Sequence, residues 1–133
     1  MDMTLEDIPV MCVVAEGGAA GARAAFDRIE AKLPSLRGRK FYGAYFPERN
    51  EYRACVTLEA GEDPARYGFE RWVVPGGLYA REKMKDWMSR IPDIGKAFIA
   101  MADRERSRHD KIRPSLEFYR SQDELILLLP VRS

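Results

Sequence analysis

The sequence predicts an α+β domain in which a strand–helix–hairpin unit is made twice. Three observations predict it. Residues 40–46 and 52–59 read as two strands about the polar turn Pro47-Glu48-Arg49-Asn50. Residues 115–120 and 124–131 repeat that pattern in the second half. Each hairpin follows a segment of helical periodicity, and each helix follows an apolar strand-like run. Two such halves generate a shared cleft, which is where function is expected.

The elements follow in order. Ile8 to Ala15 is a continuous apolar run with β-branched residues, the signature of a strand buried on both faces. Pro9 lies near its start, where no ladder bond is lost. Glu16-Gly17-Gly18 breaks the strand. Ala19 to Leu33 reads as a helix, because Ala22, Ala25, Phe26, Ile29 and Leu33 share one stripe. Pro34 ends it. After the first hairpin, residues 61–68 form a polar connection.

Phe69 to Val74 reads as a strand that continues through Leu78 to Lys83 across a turn or bulge at Pro75-Gly76-Gly77. The second helix starts near Ile91 and runs to Arg106, with Ile91, Ile94, Phe98 and Met101 on its apolar stripe. Residues 85–90 fit either the helix or the linker before it. Arg113-Pro114 stops the approach to the second hairpin. Leu125 to Leu129 is apolar on both faces, as a central strand must be. The expected organisation is one domain, residues 1–133, with halves of about 5–60 and 69–132.

Composition narrows the function. The chain is 46% hydrophobic and 32% charged, with a formal net charge of +1. No global field attracts nucleic acid or an anionic membrane. The basic run Arg104 to Lys111 is diluted by acids and reads as a solvated helix end. No apolar run approaches the roughly 20 residues needed to span a bilayer, and the acidic amino terminus lacks a signal-peptide pattern, so a cytoplasmic protein is expected. The 2 cysteines, Cys12 and Cys55, fall inside strands and read as buried reduced thiols. With a single histidine, His109, in a charged stretch expected to be exposed, no metal site and no Ser-His or Cys-His triad is expected.

Five fragments, in order, carry a resemblance. They are Ile8-Pro9-Val10-Met11; Tyr42 to Tyr45; Val74-Pro75-Gly76-Gly77-Leu78-Tyr79-Ala80; Pro114-Ser115-Leu116-Glu117-Phe118-Tyr119; and Leu128-Leu129-Pro130-Val131-Arg132. Together they resemble the GyrI-like small-molecule-binding domain, over about residues 5–132. That domain is the effector-binding half of several multidrug-responsive bacterial transcription regulators and also occurs alone. The resemblance implies duplicated βαββ units with pseudo-twofold symmetry, whose antiparallel strands form a concave cleft flanked by two helices.

It also implies an aromatic pocket around a glutamate for lipophilic, often cationic compounds, without a cofactor. The matching glutamate is Glu117, with Tyr119 two positions on. Some standalone members resemble hydrolases of strained electrophiles that use this glutamate with tyrosines. The family takes its name from a gyrase inhibitor, so a protein partner or a homodimer is a further expectation. The chain departs from the family pattern after Tyr79-Ala80, where it reads Arg81-Glu82-Lys83-Met84-Lys85-Asp86-Trp87-Met88.

Alternation puts Ser115, Glu117 and Tyr119 on one strand face and Leu116, Phe118 and Arg120 on the other. If Leu116 and Phe118 face the helix-packed core, Glu117 and Tyr119 face away from the helices. A carboxylate among aromatic faces suits a cation. Tyr45 shares a face with Phe41 and Gly43, and Tyr42 shares the other with Ala44 and Phe46. Alternation leaves open which set looks into the cleft. Trp72, Tyr79 and Trp87 complete the candidate ligand-binding residues, each also compatible with core packing. If the chain is an enzyme, Glu117 is the general base or nucleophile and Tyr119, Tyr45 or Tyr79 orients water.

Overall fold

A computed structural model describes residues 1–133. Eight strands form one curled antiparallel sheet with two α-helices packed on it. The strands are β1 (Asp2–Leu5), β2 (Ile8–Val14), β3 (Phe41–Phe46), β4 (Glu51–Thr57), β5 (Glu70–Val74), β6 (Gly77–Lys85), β7 (Ser115–Tyr119) and β8 (Glu124–Pro130). The helices are α1 (Ala22–Lys32) and α2 (Ile91–Arg104). The sheet order is β1-β6-β8-β7-β3-β4-β2-β5. β7 and β3 therefore meet at its centre, and each hairpin extends outward from that seam.

The sheet has two differently covered faces. α1 lays Ala25 and Ile29 on Met11, Val13, Tyr52, Ala54 and Val56. α2 lays Met101 on Met84, Leu125, Leu127 and Leu129. Both helices thus pack on one face, over opposite ends of it, and the β3–β7 seam runs between them. No helix covers the other face. Its residues, among them Val10, Cys12, Tyr42, Cys55, Tyr79, Leu116 and Leu128, form one apolar cluster that the curl folds together.

Several expectations are corrected. Residues 2–5, part of the acidic amino terminus to which the sequence assigned no element, are a strand on the edge of the sheet. Phe69–Val74 and Leu78–Lys83 do not continue one strand. β5 pairs with β2 at one end of the sheet, and β6 pairs with β8 and β1 at the other. The parting occurs at Gly76 and Gly77. A Cβ on Gly76 would lie 2.7 Å from the Leu5 carbonyl oxygen, and Gly77 has φ +126°, so the chain passes the connection between β1 and β2 only where side chains are missing.

The first helix begins at Ala22, because Gly17 and Gly18 adopt left-handed angles and residues 18–21 form a single 3₁₀ turn. Leu33 is extended ahead of Pro34. Lys85 ends β6, and Trp87–Ser89 form a 3₁₀ turn before α2. Ile91, assigned to the apolar stripe, is 53% exposed because it sits in the first turn, beyond the sheet. α2 stops at Arg104 rather than Arg106. His109 is half-buried rather than exposed, held by a bridge to Val131.

Candidate functional site

The β3–β7 seam forms the floor between the two helices. Along it, Gly43 pairs with Glu117, Phe41 with Tyr119 and Tyr45 with Ser115. Glu117 and Tyr119 therefore lie on the helix-bearing face. The sequence-based orientation, with Leu116 and Phe118 toward the helices, is reversed: those two residues join the uncovered-face cluster instead. The cause is topological. Both helices sit at the flanks, over β2–β4 and β8, so Glu117 lies on the seam between them rather than beneath either one.

Glu117 is the focus of a three-residue hydrogen-bonded cluster. The Tyr52 hydroxyl donates to Glu117 Oε1 at 2.6 Å, and the Tyr119 hydroxyl donates to the same oxygen at 2.5 Å. The two hydroxyls are 3.2 Å apart. Oε2 accepts no protein donor, and as no buried polar atom of the chain lacks a partner, Oε2 is reached by solvent. Glu117 is half-buried and Tyr52 is buried.

Gly43 makes the cluster sterically feasible. A Cβ there would lie 1.9 Å from the Tyr52 hydroxyl oxygen and 2.7 Å from Glu117 Oε1. Glycine opposite the glutamate is the vacancy into which the Tyr52 hydroxyl fits.

Aromatic rings approach from both walls. Phe26 of α1 meets Tyr119 edge-on at 5.2 Å between centroids, Tyr52 at 6.2 Å and Phe41 at 6.3 Å. Trp87, in the turn before α2, meets the other side of the cluster, 5.0 Å from the Tyr119 ring. Its indole N–H donates to the Ser121 carbonyl at 3.0 Å, which ties that turn to the β7–β8 connection.

Of the predicted residues, the structure brings together Glu117, Tyr119 and Trp87. Tyr45 lies on the same face, toward one end of the seam, and its hydroxyl donates to Asn50 Oδ1 at 2.9 Å. Tyr42, Trp72 and Tyr79 belong to the opposite face and do not join the cluster. Tyr42 stacks on Phe118 at 4.9 Å. Tyr79 is buried, donates to the Pro75 carbonyl at 2.5 Å and lies beneath the Arg113 guanidinium. Trp72 packs beside Phe46 under Arg53. Sequence reasoning missed Tyr52 and the steric role of Gly43. The hairpin register carries the signal for Tyr52, since it lies directly across from Tyr45.

The electrostatics are those of a carboxylate short of a cation. Burial raises the Glu117 pKa above its ordinary value of 4.5, while the bonds from Tyr119 and Tyr52 act in the opposite direction. No basic side chain contributes to its shift. Burial, reinforced by the Glu117 charge, pushes both Tyr52 and Tyr119 well above the ordinary phenol range. Both tyrosines are thus neutral donors at neutral pH. No group of three or more His, Cys, Asp or Glu side chains is placed to hold a metal ion. Cys12 and Cys55 are buried free thiols, directly paired across β2 and β4 on the other face.

Two surface hollows lie away from Glu117. One, of about 290 Å³, is lined by Lys83, Arg90, Asp93 and Lys96. The other, of about 480 Å³, is lined by Glu59, Glu62, Asp63 and Arg71. Both are open and mostly polar, and neither is lined by Glu117, Tyr52 or Tyr119.

No protein-family profile matches the sequence, and no curated protein matches it. Solved structures do match the fold. An integron cassette protein from the mobile metagenome of Vibrio cholerae superposes with a TM-score of 0.72 at 13% identity, covering 99% of this chain and 95% of that one. The protein SAV2435, solved with tetraphenylphosphonium bound, gives 0.66 at 7% identity, covering 100% and 93%. A Staphylococcus aureus MU50 protein provisionally assigned to bacterial transcription regulation gives 0.63 at 6% identity, covering 100% and 97%. At these identities the likeness establishes the fold: a curled antiparallel sheet with two helices, shared along the full length of the chain.

Proposed function

We propose that this chain is a small-molecule receptor of the GyrI-like type. In this reading two βαββ units, related by a pseudo-twofold axis through the β3–β7 seam, place a ligand between their helices. The ligand is a lipophilic, aromatic cation, and its charge pairs with Glu117. The observation that carries the reading is the state of that carboxylate: half-buried, bonded only to neutral phenols through Oε1, and without a protein cation. A bound cation supplies the missing charge, and the faces of Phe26, Tyr119 and Trp87 supply its aromatic surroundings, each worth roughly 0.5–2 kcal/mol. The fold neighbours lend support, since one holds tetraphenylphosphonium and another is assigned to transcription regulation. Tyr45 is the outer wall of the same groove. Tyr42, Trp72 and Tyr79 serve the core that backs it.

A thermal-shift panel of lipophilic cations, neutral aromatics and strained electrophiles tests this on wild type and Glu117→Gln. A ligand bound only by the folded state raises the melting temperature. Cation-selective shifts that vanish in the variant are expected. Equal shifts in both proteins, or none, would remove Glu117 from the ligand site.

One observation favours a second reading as a cofactor-independent hydrolase. The open Oε2 has room to take a proton from water while the phenols hold the other oxygen. Turnover of a strained electrophile, lost in a Glu117→Gln protein that still binds it, would establish the enzyme. Binding without turnover in the wild type would leave the receptor.

A further inference from the structure

Glu117 offers a ligand one oxygen rather than two. Oε1 already accepts both tyrosine hydroxyls, at 2.6 and 2.5 Å. Oε2 accepts none, and its strand neighbours across the ladder, Gly43 and Leu127, have no side-chain donor to offer. Solvent reaches it in the free protein. A ligand seated over Oε2 must displace that water. An ion with an N–H restores the lost hydrogen bond. A quaternary ion cannot, and leaves a charged, desolvated oxygen without a donor.

Other effects pull the opposite way. Aromatic faces attract either kind of ion. A quaternary ammonium, with no N–H to solvate, is the easier of the two to strip of water. The comparison between the ions therefore reports the Oε2 hydrogen bond net of that difference in desolvation, and the change in preference on Glu117→Gln isolates the bond.

We infer that the Glu117 site selects protonated alkylamines bearing an aromatic group, with at least one N–H donated to Oε2, over quaternary cations of the same shape. The inference rests on the receptor reading and deepens it by naming the ligand class. Tyr52 and Tyr119 set this selectivity, because by holding Oε1 they fix the carboxylate with its other oxygen toward the opening. They are positioning residues, and neither supplies charge.

The test is isothermal titration calorimetry at pH 7 with three probes: (1-naphthylmethyl)dimethylammonium, its trimethylammonium counterpart, and the neutral neopentyl analogue. The wild type should bind the N–H cation at least about tenfold more tightly than the quaternary one, the scale of one hydrogen bond to a charged group. In Glu117→Gln that preference should vanish or reverse. Glutamine keeps an oxygen for both phenols, and near-ultraviolet circular dichroism verifies that the variant is folded. Equal or tighter binding of the quaternary ion by the wild type overturns the inference. If that happens while both cations lose affinity in Glu117→Gln, the receptor reading survives and only the N–H selection falls. If neither cation outbinds the neutral analogue, both fall.

Discussion

Two covered carboxylates in this protein are treated in opposite ways. Glu62, in the loop after β4, lies against Arg39, just ahead of β3. The guanidinium donates to both Glu62 oxygens, at 2.6 and 2.5 Å, and to the Thr57 carbonyl at 2.8 Å. The two side chains retain only 4% and 11% exposure. The bond from Arg39 lowers the Glu62 pKa, and burial opposes it. Glu117, on the central seam, has no such partner. Burial dominates there and raises its pKa. Glu62 is a completed ion pair that pins a loop. Glu117 is held by neutral donors alone, and in the proposed reading a ligand brings the missing cation.

Neutralising each acid sharpens that contrast most. Glu62→Gln leaves Arg39 covered and under-paired, and should cost roughly 1–3 kcal/mol, between the values for exposed and buried pairs. Glu117→Gln should leave the free protein equally or more stable at pH 7. The pH dependences run in opposite directions. The Glu62 pKa is lowered by folding, so its contribution is present above 4.5 and is lost as pH falls through the folded value. The Glu117 pKa is raised by folding, so its contribution is present below 4.5 and is lost as pH rises through the folded value. Urea melts at pH 4 and pH 7 check both signs. The gap between Glu117→Gln and wild type should open with rising pH, and the gap for Glu62→Gln should close with falling pH.

Gly43→Ala comes next. The new methyl collides with the Tyr52 hydroxyl and Glu117 Oε1. Overpacking of this kind costs roughly 1–3 kcal/mol, and cation affinity should fall with it, as read by calorimetry. The Arg39–Glu62 pair is remote from this change and should keep its pH signature. The smallest effect belongs to Tyr52→Phe and Tyr119→Phe. Each removes one donor to Oε1, at about 1 kcal/mol. Each should also raise the pH at which cation binding sets in, because the removed bond favoured the charged carboxylate.

The sequence carried most of the sheet and part of the site. Both hairpins were legible from alternation about polar turns, and the central position of β8 from its unbroken Leu125–Leu129 run. β1 was not, because its alternation, Asp-Met-Thr-Leu, spans only four residues and its pairing partners, Gly77 to Ala80, lie far along the chain. The parting of β5 from β6 was hidden for a similar reason: Pro75-Gly76-Gly77 reads as a turn or bulge in one continuing strand, and local pattern does not say that the two sides pair at opposite ends of the sheet.

At the site, Glu117 and Tyr119 were found through resemblance, and alternation paired them correctly. Their direction was inverted, since a strand pattern gives two faces without saying where helices dock. Tyr52 escaped notice because its role depends on register with Tyr45 and on the absent side chain of Gly43.

The central claim is that Glu117 is a carboxylate awaiting a cation. The most direct measurement is carboxyl-carbon NMR of isotopically labelled Glu117, titrated from pH 3 to 8 without and with a lipophilic ammonium ion. The account predicts a pKa above 4.5 in the free protein that drops when the cation binds, as charge pairing favours the ionised form. A Glu117 titration that the bound cation leaves unchanged would contradict it.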